Sequence, residues 1–93
     1  MSETNPPLPP ATFEFLVLSL RAQAEMQMGL VRLSEDDQPE INLPLARHMI
    51  DLLAMLLDKT KGNLSLDEKR LLENSITELR FLFVQATDRS GSQ

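Results

Sequence analysis

His48 is the only histidine in the chain, and it stands one turn ahead of Asp51. On a helix, a carboxylate at that spacing can orient an imidazole for general-base work or hold it as a metal ligand. A metal asks for three or four ligands, and the chain has no second His and no Cys to supply them. His48 therefore reads as a surface or interface side chain. The acidic run Glu35, Asp36, Asp37 and Glu40 suggests calcium, but it lacks the alternating acids, the glycine and the terminal Glu of an EF-hand loop. A solvated connection is the better account. The run Lys59-Thr60-Lys61-Gly62-Asn63 suggests phosphate binding. A P-loop, however, places its glycines before the Lys and follows a strand, whereas here a helical pattern precedes the run and Gly comes last. Its lysines would sit at a helix C-terminus, whose dipole repels anions.

The composition narrows the classes further. The chain has 93 residues, no Cys, no Trp and no Tyr, and a net charge of -5. A nucleic-acid binder needs a basic footprint and usually stacking aromatics, so nucleic acid is not an expected partner. Disulfide scaffolds and cysteine nucleophiles are excluded outright. The first ten residues, MSETNPPLPP, are acidic and proline-rich, unlike the basic and apolar start of a secretory signal. The longest uninterrupted apolar run, Leu52 to Leu57, is far short of the ~20 residues that cross a bilayer. The expectation is a cytoplasmic protein with no membrane partner, no cofactor and no enzymatic activity.

Punctuation residues divide the chain into three helices. Residues 1–11 read as a disordered proline-rich tail, whose two overlapping P-x-x-P spacings could dock an aromatic groove but more simply keep the tail solvated. Residues 12–87 read as a single helical domain and residues 88–93 as a flexible C-terminal tail. The first helix is expected from Phe13 to about Met28, with Thr12 as N-cap and Gly29 as the left-handed residue that ends it. The second is expected from Leu43 to Lys61, with Asn42 as N-cap, Pro44 in the first turn and Gly62 past the end. Ser65 and Glu68 have capping-box spacing, which starts a third helix at Leu66 that runs to about Ala86. The short Gly62–Ser65 link forces the second and third helices into an antiparallel hairpin. No strand pattern competes.

The faces of these helices carry most of the information. At about 100° per residue, the first helix has two apolar stripes. One holds Phe13, Leu16, Val17, Leu20, Ala24 and Met28, and the other, roughly opposite, holds Phe15, Leu18, Ala22 and Met26. A surface helix of a monomeric bundle needs only one stripe, so the first helix is expected to be covered on both sides. The second helix has a broad apolar arc (Leu45, Ala46, Met49, Ile50, Leu52, Leu53, Ala54, Leu56, Leu57) and a narrow polar face with Arg47, Asp51 and Asp58. The third has one stripe of Leu71, Leu72, Ile76, Leu79, Leu82, Phe83 and Ala86, with Phe81 and Val84 lying off it.

The segments FLVLSLRAQAEMQMG (Phe15–Gly29) and LARHMIDLLAMLLDKTKGNLSLDEKRLLENSITELRFLFV (Leu45–Val84) resemble an uncharacterised bacterial family, domain of unknown function 1844. The phrases IDLLAML and KTKGNLS carry most of the likeness. The resemblance implies a small helical protein and transfers no catalytic residues.

The reading is an all-α, three-helix protein that self-associates as a homodimer or higher homo-oligomer. Its expected interface residues are Phe15, Leu18, Ala22 and Met26, and its expected role is that of a non-catalytic interaction or scaffold protein. The alternative is a binder of an apolar ligand or an exposed client helix through that same second stripe.

Overall fold

The computed structural model describes residues 7–31 and 40–91. They form three helices: α1 (Phe13–Gln27), α2 (Leu43–Lys59) and α3 (Leu66–Gly91). Pro7 to Ala11 precede α1 without helix and lie exposed, as prolines without amide donors dictate; residues 1–6 of the expected tail lie outside the described residues.

Local chemistry sets each helix boundary. The Thr12 Oγ1 accepts the Phe15 amide at 3.0 Å, and the Asn42 Oδ1 accepts the Leu45 amide at 3.0 Å. Each satisfies one of the orphan first-turn donors. At the end of α1, Gly29 takes a φ of 79°. Its amide donates to Met26 O at 3.0 Å and that of Leu30 to Glu25 O at 3.0 Å, the paired bonds of a Schellman close. At the start of α3 the Glu68 amide donates to Ser65 Oγ at 3.1 Å. The Ser65 amide returns a bond to Glu68 Oε1 at 2.8 Å, so the capping box is complete.

Two boundaries differ from the sequence expectation. α2 ends at Lys59 with Thr60 as C-cap, two residues before Lys61, and Gly62 serves a turn beyond the cap. That turn is closed by the Asn63 amide on Thr60 O at 2.9 Å, with Gly62 at φ 82°. α3 runs to Gly91, five residues past Ala86. The apolar stripe ends there, but extending a helix is cheap once it is nucleated, and no Pro or Gly interrupts the chain before Gly91.

The Asn42 amide donates to Gln27 O at 2.7 Å, which ties the start of α2 to the end of α1. A tight turn joins α2 to α3, and all three helices pack on one another. The core contains Val17, Ala24 and Met28 from α1, Ala46, Ile50 and Leu53 from α2, and Leu72, Ile76, Leu79 and Ala86 from α3. Leu16, expected in the core stripe of α1, is instead 43% exposed. It stands about 100° from Val17, at the edge of an arc that two neighbouring helices cannot both cover.

Candidate functional site

The residues best able to do chemistry are not brought together. His48 and Asp51 are both exposed on α2, and no hydrogen bond joins them among the described residues. No group of three or more His, Asp or Glu is placed to hold a metal ion among the described residues. Glu35, Asp36 and Asp37 lie outside the described residues, and Glu40 is exposed. The Lys59–Asn63 run is a helix end. The Thr60 hydroxyl donates to Leu56 O at 2.6 Å, and Lys61 pairs loosely with Asp58 at 3.9 Å. No helix among the described residues is long and apolar enough to cross a membrane.

The main polar feature is a clamp between α1 and α3. Arg21 donates through Nε to Glu25 Oε2 at 3.3 Å, through one terminal nitrogen to Ser75 Oγ at 3.4 Å, and through the other to Glu78 Oε1 at 2.5 Å. Burial works against the Arg21 charge, but the hydrogen bonds to Glu25 and Glu78 and their negative charges outweigh it and raise its pKa above the ordinary guanidinium value. Ser75 is fully buried, so its hydroxyl needs that partner. None of Arg21, Ser75 and Glu78 belongs to the stripes, caps or motifs read from the sequence. A signal was present. Ser75 stands three residues after Leu72 and four before Leu79, inside the core stripe, where a polar side chain calls for a partner on a facing helix.

On the outer side of α1 lies the second apolar stripe. Phe15 is 47% exposed, Leu18 49% and Met26 42%, and Ala22 between them is exposed as well. None of the four enters the chain's own core. The three charged residues of α1, Glu14, Arg21 and Glu25, fall within about 40° of one another at 100° per residue, and two of them belong to the clamp. The outer half of α1 thus carries Phe15, Leu16, Leu18, Ser19, Ala22, Gln23 and Met26 with no charge at all. The Ser19 hydroxyl is turned back onto Phe15 O at 2.8 Å. Across the clamp, Phe81 is 63% exposed on α3. It stands one turn after Glu78, as Leu18 stands one turn before Arg21, so apolar side chains flank both ends of the bridge. A hollow of about 400 Å³ opens beside Phe81 and Leu82.

No curated protein and no solved structure matches the chain. The sequence pattern of one family covers residues 10–85, which takes in all of α1 and α2 and most of α3. The chain belongs to that family, described as Domain of unknown function (DUF1844).

Proposed function

We propose that this protein is a non-catalytic interaction module that pairs with a second copy of itself through the outer face of α1. The observation that carries the reading is the charge-free half-helix bearing Phe15, Leu18, Ala22 and Met26. Soluble proteins rarely leave such a contiguous apolar surface open to water. The stripe spans twelve residues, about 18 Å of helix, and its spacing is that of side chains that anchor one helix on another. A two-fold arrangement sets each patch against its own copy. On a charged face that geometry opposes like charges, and on this face there are none to oppose. Phe81 adds a further exposed apolar side chain on α3, beside a hollow lined by Thr77, Glu78 and Leu82.

The test is the mass in solution. Light scattering at tens of micromolar should give twice the 10.5 kDa chain mass. Leu18→Glu would put an unpartnered charge on the apolar face and should return the mass of a single chain with helicity retained, because Leu18 lies outside the core. Should that variant unfold, the uncharged pair Phe15→Gln with Met26→Gln gives the same readout more gently. A sharp 10.5 kDa species from the wild type at high micromolar concentration overturns the proposal. Strong binding of a hydrophobic dye by such a monomer would point instead to a client helix or an apolar ligand on the same stripe.

A further inference from the structure

A second surface, which shares no residue with the α1 stripe, lies where α2 and α3 run side by side. It is a groove of about 340 Å³ lined by Arg47, Ile50 and Asp51 from α2 and by Arg80, Phe83 and Val84 from α3. Its floor is apolar. Ile50 is buried, Phe83 is half-buried, and Val84 remains 57% exposed. Its rim carries two guanidiniums from different helices. Neither takes part in an ion pair or a side-chain hydrogen bond among the described residues. Arg80 has no acid three or four residues away on its own helix, where Ile76, Thr77, Phe83 and Val84 stand. Arg47 has Asp51 four residues on, yet the two are not paired. A chain of net charge -5 thus gathers a local surplus of positive charge over an apolar floor.

We infer that this groove docks an acidic, apolar-anchored segment of a partner protein: a bulky apolar side chain set on Phe83 and Val84, with a carboxylate about one turn away between Arg47 and Arg80. Guanidiniums recognise carboxylates through paired, charge-assisted hydrogen bonds, and arginine and aromatic side chains are enriched among interface residues. The complementarity sets the charge of the partner. A basic segment would meet two cations, and an apolar one would leave both guanidiniums without anions. Asp51 on the same rim disfavours a polyanion, and the net negative charge of the chain disfavours nucleic acid and anionic membranes. A groove of this size, formed by six side chains on two helices, accommodates one anchoring side chain and its neighbour.

The test uses the full chain and three fluorescent amphipathic peptides of equal length and equal leucine content, with Glu, Gln or Lys on the polar face. The acidic peptide should bind, its affinity should fall steeply with salt, and the Gln and Lys peptides should bind at least about tenfold more weakly. Arg47→Glu with Arg80→Glu should weaken the acidic peptide by at least about tenfold and reverse the preference toward the Lys peptide. Both arginines are exposed and unpaired, so the double variant should fold, as circular dichroism will show. Light scattering of the wild type and of the double variant reads self-association independently of peptide binding, which separates failure of this proposal from failure of the α1 interface. Equal binding of all three peptides, no binding of the acidic peptide at millimolar concentration, or binding indifferent to the charge reversal would overturn the inference. Tighter binding to vesicles of anionic lipid than to the acidic peptide would overturn it as well.

Discussion

Leu53→Ala probes the core at the point where all three helices meet. Leu53 is fully buried in the middle of α2, in one cluster with Val17 and Ala24 of α1 and with Leu72, Ile76 and Leu79 of α3. Truncation to Ala removes three carbons, which at about 0.8 kcal/mol each is a transfer loss of about 2.4 kcal/mol. A cavity cost adds to this and brings measured Leu→Ala losses to about 2.7–5 kcal/mol. The upper half of that range applies here. The surrounding side chains belong to three helices held by a Schellman close, a tight turn and the Arg21 clamp, so the gap cannot close without moving a whole helix. The expected loss is about 4 kcal/mol. A domain of this length has about 5–14 kcal/mol in total, and the melting point should drop by roughly 15–30 °C. Urea unfolding followed by circular dichroism, at one fixed chain concentration because self-association would stabilise both proteins by mass action, measures it directly. Met55, two residues on and exposed on the opposite face, is the internal control, and Met55→Ala should cost less than about 1 kcal/mol. A Leu53→Ala loss below about 2 kcal/mol with an unchanged urea slope would mean that the helices close over the gap, and the argument for a tightly held core would fail.

Two further outcomes follow from the polar contacts. Ser65→Ala breaks one half of the reciprocal cap on α3 and should cost about 1 kcal/mol in thermal unfolding; an unchanged midpoint would show that the cap contributes nothing. A double-mutant cycle of Arg21→Met and Glu78→Gln should give a coupling of about 0.5–1 kcal/mol, because Glu78 is more than half exposed and solvent screens the pair. That coupling should shrink in high salt, and a zero value at low salt would show that α1 and α3 are held by apolar packing alone.

The sequence by itself determined the three elements, the start of each and the end of α1, and most of the faces they offer. Thr12, Asn42 and the Ser65/Glu68 pair cap helices where their side chains and spacing indicated, because an N-cap is a contact between residues three apart and needs nothing from the rest of the chain. Gly29 closes α1 for a similarly local reason. The stripes of α2 and α3 were legible because a helix must turn its apolar residues inward. The second stripe of α1 was legible as a periodicity, and the structure leaves Phe15, Leu18 and Met26 exposed outside the chain's own core. The tertiary structure decided what depends on neighbours far along the chain. Leu16 falls to solvent because only the packing of α2 and α3 fixes how wide an arc of α1 is covered. Arg21 finds Ser75 and Glu78 more than fifty residues away, and Arg47 and Arg80 come to share a groove only because α2 and α3 lie side by side. Local hydrogen bonds and periodicity are written in adjacent residues, whereas the meeting of distant side chains depends on how whole helices pack.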